Sequence, residues 1–435
     1  MAVSTRSLGA ALRDLVGAER VTDAPDECEA AAVDGRRPRW VVRAASVEHV
    51  ADVLTLAWSE RLAVVPRGSG SALELGRPPE RVDLVLDVRG LDRVLEHNPD
   101  DLTVSVQAGV TAGALADRLA GRRQWWPVDP PGWRGRTIGG LAATGAGGPL
   151  RVRYGTMRDL LLGVRFVQAD GVVTWGGARV VKSVTGYDVP KLMVGSLGTL
   201  GILVELTLRL HPQPPVEQTW LALFRTPEAA QAFTGSVLDS TLQPNRIEYL
   251  NEPALRACQV ASAPAAVAVG IGSVEAAVRE QGEILTALAG VAGGAATPVD
   301  AGFWARHDAA LTPAAGEVVL LVGSLPGRLA DTVRAIEAAG APPTALVTGT
   351  AALGLLRVAV TGADVPAAVR LVSALREFTA ALGGHVVVQA GPAAVRTAVD
   401  PWGPVDAGPF GLMRALKDEF DAHRVLNPGR YVGGL

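Results

Sequence analysis

The sequence predicts an α+β protein made of two successive domains, residues 1–212 and 213–435. Short β-branched strand patterns alternate with helical patterns along the whole chain. Glycine is concentrated, since 16 of the 50 glycines lie between residues 132 and 201. Three prolines at 212, 214 and 215 form a stiff connector, and the chain beyond them is rich in alanine. We therefore expect the second domain to be an α+β unit with an antiparallel sheet.

Composition and charge exclude several classes of function. The 41 Lys and Arg residues against 44 Asp and Glu give a net charge of −3, so no basic field favours nucleic acid or anionic lipid. None of Lys182, Lys191 and Lys417 follows a glycine, which excludes a G-x-x-x-x-G-K-[ST] phosphate loop. Cys28 and Cys258 are too far apart in sequence to predict a disulfide framework or a cysteine-held cluster. Because no signal-peptide or membrane-spanning pattern is found, we expect a cytoplasmic protein.

The N-terminal elements predict a βαβ unit. Apolar residues at helical spacing predict a short helix within residues 1–24. A second helix, which Ser46 can cap, separates the first two strand patterns. The predicted strands of this part are 40–42, 62–66, 82–88 and 102–107.

Further elements follow in the same alternating order. The spacing of Leu115 and Leu119 predicts a helix over 111–119, and Asp170-Gly171 is typical of a hairpin turn between strands. The strands predicted in the second domain are 220–224, 267–271, 318–322, 356–360 and 385–389. We find no exact internal repeat in the sequence.

A turn with two glycines directly follows the strand pattern at 62–66. It comprises Pro66, Arg67, Gly68, Ser69, Gly70 and Ser71. Its uncovered backbone N–H groups can bind a phosphate anion. The dinucleotide fingerprint G-x-G-x-x-G/A does not fit, because its last position falls on Leu73. A plain surface loop is the alternative interpretation of this turn.

The segment 137–148 contains five glycines separated by small side chains. Such a segment offers a bare backbone surface on which a flat ring or a diphosphate could lie. A flexible linker is the alternative, but Ile138 and Leu141 are apolar anchors, and a linker would be richer in serine.

Several motifs that occur in fixed order resemble one known family. They are P-R-G-x-G-S, D-P-x…T-I-G-G…A-x-G-G, R-Y-G-x-x-R-D-L-x-L-G, K-x-V-T-G-Y-D and G-S-L-G-T-L-G-I. This set is similar to the PCMH-type FAD-binding domain of the vanillyl-alcohol oxidase flavoproteins, and most similar to the E subunit of glycolate oxidase (glycolate dehydrogenase). The C-terminal N-P-G-R at 427–430 agrees with that resemblance.

The resemblance implies FAD held between two α+β subdomains of the first domain, with the tail 420–435 packing back near them. By position, Arg67–Ser71 would wrap the pyrophosphate. The remaining residues expected to bind FAD are Pro66, Pro130, Thr137, Ile138, Gly139, Gly140, Thr144, Gly147, Tyr154, Gly198 and Ile202. Ser71 stands where covalently flavinylated relatives carry histidine, so we expect non-covalent FAD.

Fewer residues are candidates for catalysis than for FAD binding. Related 2-hydroxy-acid dehydrogenases carry an H-x-G-D-G-N-x-H motif that this chain lacks. His385 is a candidate base, with a hydrogen-bonded strand histidine as the alternative. Tyr187 and Lys182 are candidates for a place near the flavin or at another subunit. Arg246 could clamp a carboxylate or form a surface ion pair with Glu248.

The resemblance implies an FAD-binding oxidoreductase subunit of a glycolate oxidase-like complex that oxidises a small 2-hydroxy acid. Its partners would be a sister flavoprotein subunit and an iron–sulfur subunit, since two distant cysteines cannot hold a cluster. Such a complex could hold the protein at the periphery of a membrane. Two alternatives stay open, a self-sufficient FAD-dependent alcohol or 2-hydroxy-acid dehydrogenase and a flavin-containing structural subunit without turnover.

Overall fold

The computed structural model describes residues 5–178 and 187–435. We call residues 5–178 and 187–212 the N-terminal region, which carries two main sheets, and residues 213–435 the C-terminal region, which carries one. The mixed α+β architecture predicted from the sequence is confirmed. Among the described residues, no helix is both long enough and apolar enough to cross a membrane.

The first sheet of the N-terminal region is built around a βαβ unit. Its strands are β1 (Val21–Thr22), β2 (Trp40–Arg43), β3 (Val64–Arg67) and β4 (Leu84–Asp87), and its helices are α1 (Thr5–Val16), α2 (Pro25–Ala30) and α3 (Val47–Glu60). The strand order is β1-β2-β4-β3, and β2, β4 and β3 run parallel. Ser46 caps α3 as predicted, because its Oγ accepts a hydrogen bond from His49 N at 3.2 Å. The turn 66–71 thus begins at the carboxyl end of a parallel strand.

The second sheet is antiparallel and lies next in the chain. Its strands, together with a small separate pair, are β5 (Val94–Asn98), β6 (Thr103–Gln107), β7 (Gln124–Trp125), β8 (Leu161–Val167), β9 (Val173–Gly177), β10 (Ile202–Arg209) and β11 (His211–Pro212). The accompanying helices are α4 (Ala112–Ala120), α5 (Ile138–Thr144), α6 (Arg151–Tyr154), α7 (Met157–Leu160) and α8 (Val189–Met193). The order is β5-β6-β10-β8-β9, with β7 pairing β11 apart from it. The hairpin predicted at Asp170-Gly171 joins β8 to β9.

The glycine-rich segment is partly helical rather than an extended backbone surface. Thr137 caps α5, since its Oγ1 accepts a hydrogen bond from Gly140 N at 3.3 Å. Ile138 and Leu141 are fully buried in the core of the second sheet. The apolar anchors therefore fix the helix, and its glycines, the buried Gly139 and the half-buried Gly140, lie beside the turn 66–71.

The C-terminal region contains one eight-stranded antiparallel sheet. Its strands are β12 (Val216–Phe224), β13 (Arg246–Asn251), β14 (Ala265–Ser273), β15 (Ala295–Val299), β16 (Val318–Gly323), β17 (Leu346–Thr350), β18 (Leu355–Val360) and β19 (His385–Ala390). Its helices are α9 (Pro227–Leu238), α10 (Glu252–Ala257), α11 (Glu275–Val291), α12 (Phe303–Leu311), α13 (Leu329–Ala338), α14 (Val365–Ala380), α15 (Ala393–Ala398) and α16 (Ala407–Phe420). All five strands predicted in this part of the sequence are present.

This sheet consists of two units with the same topology, although the sequence shows no such repeat. The order β15-β12-β14-β13-β17-β18-β16-β19 divides into two βαββαβ units with mirrored strand order. The first unit contains α9 and α11, and the second contains α13 and α14. The units join where β13 pairs β17, so Glu248 lies opposite Thr350 at the centre of the sheet.

The two faces of the C-terminal sheet differ in chemistry. Residues such as Ile247, Tyr249 and Val358 point to the helices and belong to one apolar core. Their neighbours one position along the strands, such as Glu248 and Arg357, line a cavity on the opposite face. The side-chain period of two along a strand therefore places a polar surface opposite the N-terminal region.

The C-terminal tail returns to the N-terminal region. Val64 N donates to Val425 O at 2.8 Å, and Asn427 N donates to Val64 O at 2.9 Å. The buried Lys417 ammonium pairs with Asp421 at 2.6 Å and also donates to Thr199 O at 2.8 Å. The tail is thus attached to the edge of the first sheet beside the turn 66–71.

Candidate functional site

A groove and a cavity meet at the boundary of the two regions. The cavity has a volume of about 850 Å³ and separates the N-terminal region from the polar face of the C-terminal sheet. The groove, of about 100 Å³, lies between the turn 66–71, α5 and the tail. They are continuous, because Arg136, Thr144 and the stretch 69–73 line both.

The structure brings most of the residues expected to bind FAD to these two spaces. The groove is lined by Pro66, Arg67, Gly68, Ser69, Gly70, Ser71, Gly139, Gly140, Thr144, Gly198 and Ile202. Pro130 and Gly147 line the cavity. At Gly68 a Cβ atom would collide with Thr137 Oγ1, so glycine lets the turn approach α5 closely.

Three predicted residues support the groove without lining it. Thr137 caps α5, and Ile138 lies buried beneath it. Tyr154 packs its ring edge-on between Trp125, at 5.4 Å, and His211, at 4.9 Å. These side chains hold neighbouring elements in place, and the sequence motif alone could not separate them from lining residues.

Unpartnered cationic donors surround the groove. The Nε atoms of Arg67, Arg136 and Arg430 are buried and have no hydrogen-bond partner among the described residues. Guanidinium donors beside a glycine-lined surface suit a diphosphate, which accepts charge-assisted hydrogen bonds. The residues present therefore fit FAD, with Arg67 and the turn 66–71 placed for its phosphates. Arg430 was not identified from the sequence, although it belongs to the N-P-G-R motif.

Arg430 connects the tail to the groove. Its guanidinium donates to Leu73 O at 2.5 Å and to Leu75 O at 2.9 Å, and burial lowers its pKa to about 10. We expect Arg430→Met to weaken FAD binding by roughly 10- to 150-fold, because hydrogen bonds from a charged group contribute about 1.5–3 kcal/mol. Flavin fluorescence during dialysis measures the affinity. Arg279→Met on the exposed surface of α11 is the control, and an equal loss in both variants would contradict the role of Arg430.

Of the three residues proposed for catalysis, the two that the structure describes do not line the cavity. His385 is exposed at the start of the edge strand β19 and does not line the cavity, to which this strand contributes Gln389 and Ala390 from its other end. Tyr187 is 94% exposed. Their positions give no support for the expected catalytic roles. Lys182 lies outside the residues that the structure describes.

The cavity instead has polar residues that sequence reasoning missed or assigned differently. They come from β13, β17 and β18 of the C-terminal sheet and from α12. They are Arg246, Glu248, Thr348, Thr350, Arg357, His307 and Asp308. The patterns R-I-E at 246–248 and T-G-T at 348–350 do indicate strands with one polar face, because polar residues alternate there with a non-polar one. They could not be interpreted further without knowing which face of the sheet the cavity adjoins.

Arg246 joins the two regions. Its Nε donates to Asp129 Oδ2 at 3.2 Å, and it also pairs with Glu217. The guanidinium lies 4.8 Å from the ring centre of Trp304. The expected surface pair with Glu248 is wrong, because Arg246 is 7% exposed and its carboxylate partners come from other elements. Burial raises the pKa of Asp129 to about 6, although the Arg246 charge opposes that shift.

Glu248 is a neutral group on the cavity wall near pH 7. It accepts a hydrogen bond from Thr350 Oγ1 at 2.7 Å. Burial raises its pKa to about 8, and the charge of Asp129 adds to that shift while Thr350, Arg151 and Arg246 oppose it. A protonated carboxyl here does not repel an anion in the cavity.

The raised pKa of Glu248 makes stability depend on pH. The unfolded chain releases this proton near pH 4.5 and the folded protein near pH 8, so the free energy of unfolding falls as pH rises between these values. We expect Glu248→Gln to abolish this decrease in the free energy of unfolding. The decrease amounts to several kcal/mol, because one pKa unit corresponds to about 1.4 kcal/mol. Urea unfolding at about pH 5 and about pH 8 measures it. Parallel pH profiles of the wild type and the variant would contradict this prediction.

Two half-buried arginines, one from each region, line the cavity. Arg136 belongs to the N-terminal region and donates to Thr144 Oγ1 at 3.3 Å, and Arg357 on β18 donates to Leu311 O at 2.7 Å. Burial lowers the pKa of each to about 10, and the charge of Arg136 lowers that of Arg357 further. Neither pairs with a carboxylate within 4.0 Å in the part of the chain that the structure describes, and both Nε atoms are unpartnered. The site therefore holds two positive charges that an anion can neutralise.

Comparison with known proteins identifies the family. An FAD binding domain family model matches residues 38–177. The chain is 30% identical to D-2-hydroxyglutarate dehydrogenase of Xanthomonas citri pv. viticola over 454 aligned positions, which cover 96% of this chain and 95% of that protein.

Other relatives align over about half of this chain. Glycolate oxidase subunit GlcD of Bacillus subtilis is 33% identical over 50% of this chain, and a probable mitochondrial D-lactate dehydrogenase of Danio rerio is 35% identical over 51%. The chain spans less than half of these two relatives, 46% and 45% of their lengths.

Solved structures share the fold at low sequence identity. A substrate-bound p-cresol methylhydroxylase matches with a TM-score of 0.78 and 15% identity, over 98% of this chain and 97% of that one. The 4-ethylphenol oxidase of Gulosibacter chungangensis, in complex with isoeugenol, gives 0.78 and 16% over the same shares. Together with the groove and its fit to FAD, the full-length relative shows that this chain belongs to the family of FAD-dependent oxidoreductases with a PCMH-type FAD-binding domain.

Proposed function

We propose that this protein is an FAD-dependent dehydrogenase that oxidises the hydroxyl of a small 2-hydroxy acid. The observation that carries the proposal is the pair of half-buried arginines, Arg136 and Arg357, neither of which has a carboxylate within 4.0 Å among the described residues. Planar guanidinium groups from two sides suit a carboxylate, which accepts paired hydrogen bonds from them. When bound, FAD supplies the acceptor for the two electrons removed from the substrate.

The surrounding residues support binding of a small anion at this position. Arg136 lines both the groove and the cavity, so a carboxylate held by it lies next to the end of the FAD groove. Glu248 is neutral near pH 7 and does not repel that carboxylate. Trp126, at 7% exposure, and Trp304 contribute apolar surface that limits access of water. The ion pair of Arg246 with Asp129 holds the C-terminal sheet against the loop that contains Pro130.

We further propose that the chain works within a glycolate oxidase-like complex, with a sister flavoprotein subunit and an iron–sulfur subunit. Two similar proteins, from Bacillus subtilis and Escherichia coli, are glycolate oxidase subunits by name. The two cysteines of this chain are too few to supply the four ligands of an iron–sulfur cluster, so in such a complex the cluster would be held by another subunit.

Anaerobic titration of the FAD-loaded protein tests the dehydrogenase proposal. Glycolate, the two enantiomers of lactate and of 2-hydroxyglutarate, and a simple alcohol are added separately while loss of the oxidised-flavin absorbance is followed. We expect reduction by at least one 2-hydroxy acid and none by the alcohol. Reduction by the alcohol but by no 2-hydroxy acid would overturn the proposed substrate class.

The partner proposal needs a separate measurement. Purification of the tagged protein from its own cells, followed by iron analysis, shows whether an iron–sulfur protein accompanies it. Fast dye reduction by the chain alone with no associated subunit would favour a self-sufficient dehydrogenase. Flavin that no 2-hydroxy acid reduces, with or without partners, would favour a structural subunit.

A further inference from the structure

His307 is a buried histidine in the cavity wall that neither the sequence motifs nor the FAD groove accounts for. It lies on α12 and is 4% exposed. Its ring stacks at 6.2 Å on Phe303 and meets Trp304 edge-on at 5.3 Å. Its Nε2 contacts Thr348 Oγ1 at 3.4 Å across the cavity wall. These contacts hold the imidazole in one orientation at the cavity surface.

The charged groups that face His307 from the sheet are mainly cationic. β13 contributes Arg246 and the neutral Glu248, and β18 contributes Arg357. Burial, together with the charges of Arg246 and Arg357, lowers the pKa of His307 to about 3. The imidazole is therefore neutral near pH 7, with a free electron pair to accept a proton.

The other groups packed around α12 do not change the mainly cationic surroundings of His307. On the same helix, Asp308 accepts a hydrogen bond from Gly132 N at 2.8 Å. α10 packs against α12, and its Glu252 and Arg256 pair with each other at 3.0 Å on the surface. The buried Cys258 thiol follows α10, and burial raises its pKa to about 11, so it stays uncharged.

We infer that His307 accepts the hydroxyl proton of the substrate, and that the substrate's own carboxylate makes it more basic by neutralising Arg357. This inference rests on the proposed function. An anion bound at Arg357 removes one of the two charges that oppose protonation of the imidazole. The base is thus weak in the empty cavity and becomes stronger when a 2-hydroxy acid is bound.

The step balances with the reactants of the proposed function. The substrate O–H bond breaks and its proton moves to the imidazole of His307. The electron pair of that bond becomes the second bond between C2 and oxygen. The C2 hydrogen leaves with the C–H electron pair to the oxidant, FAD. The product is the 2-oxo acid, and His307 later returns its proton to solvent.

The first test is the rate of flavin reduction under anaerobic conditions with the 2-hydroxy acid that reduces the wild type. We expect His307→Gln to lower the rate at saturating substrate by about 10²- to 10⁴-fold, the usual contribution of general acid–base catalysis. The wild-type rate should rise with pH, and the variant should lose that rise. His49→Gln, on α3 and outside the cavity lining, is the matched control and should reduce its flavin at the wild-type rate.

The second test observes His307 directly and needs no turnover. Proton–carbon NMR of histidine-labelled protein is recorded against pH, and His307→Asn assigns the signal. The probe is 2-hydroxy-2-methylpropanoate, which has the carboxylate and hydroxyl of a substrate but no hydrogen on C2 to remove. We expect no titration of His307 between about pH 5 and pH 8 without the probe, and a raised pKa with it. Arg357→Lys, which keeps the charge but not the planar donor pair, should reduce the rise.

The outcomes separate this inference from the function on which it rests. If 2-hydroxy acids reduce the flavin of His307→Gln at the wild-type rate and with the wild-type pH profile, His307 is not the proton acceptor. If the probe binds and the His307 signal does not shift, the substrate carboxylate does not control its basicity. If no 2-hydroxy acid reduces the flavin of the wild type, the proposed function is overturned and this inference with it.

Discussion

Replacing Arg357 with methionine is expected to weaken binding of the 2-hydroxy acid by a factor of roughly 30 to several thousand. Removing one partner of a buried charge pair costs about 2–5 kcal/mol of binding free energy. Arg357, like Arg136 and Arg151, lines the cavity without a carboxylate within 4.0 Å among the described residues. The dissociation constant of 2-hydroxy-2-methylpropanoate, from the shift that it causes in the flavin spectrum, measures the effect.

The same variant should not lose thermal stability. In the wild type the half-buried guanidinium has no carboxylate within 4.0 Å among the described residues, and burial of a charge without a close partner is unfavourable for folding. A melting temperature equal to that of the wild type or higher, together with weak ligand binding, identifies a binding residue. Arg370→Met, on the exposed surface of α14, is the control and should change neither property. Unchanged ligand affinity in Arg357→Met would contradict the proposed carboxylate site.

Replacing Gly140 with valine is expected to lower the affinity for FAD by about 5- to 150-fold. Gly140 lines the groove on the first turn of α5, and a Cβ atom there lies 2.9 Å from Thr137 Oγ1, the oxygen that caps the helix. The branched side chain would either disturb the cap or occupy the groove, and overpacking of this kind costs roughly 1–3 kcal/mol. The ratio of flavin to protein after gel filtration measures retention.

A matched pair of variants separates groove filling from general damage. Gly140→Ala adds one carbon and should lose less FAD than the valine variant. Gly290→Val is placed at an exposed position of α11 with nothing within 4 Å of the added Cβ, and it should retain FAD fully. Full retention by Gly140→Val would mean that the cofactor does not use this part of α5.

The fold and the FAD groove were largely predictable because their signals are local. The turn 66–71 follows a recognisable strand, and the glycines at 139 and 140 sit in a short motif. The local pattern did not predict that residues 138–144 form a helix, because the helix depends on burial of Ile138 and Leu141 under the second sheet. It also could not separate Tyr154, which packs behind the groove, from the residues that line it.

The polar residues of the cavity wall were not predictable, because that wall is assembled from residues far apart in sequence. His385 stood out beside a glycine turn, yet its strand lies at the edge of the sheet. His307 had no distinguishing neighbours in sequence, and its partner Thr348 comes 41 residues later. Arg246 and Glu248 share a face, as the period of two predicts, but the carboxylates that neutralise Arg246 come from residues 129 and 217.

The duplicated C-terminal sheet has a consequence for how selectivity can change in evolution. Its two units meet along β13 and β17, and each contributes different groups to the cavity: Glu248 comes from the first unit, and Thr350 and Arg357 come from the second. A pair of identical ancestral halves would have offered a ligand the same groups twice about a pseudo-twofold axis. The present halves differ, because the first contributes the carboxyl of Glu248 together with Arg246, and the second contributes the hydroxyl of Thr350 together with Arg357. Exchanging side chains between equivalent positions of the two units would change which groups meet each side of a bound substrate, and is therefore a direct route to altered selectivity.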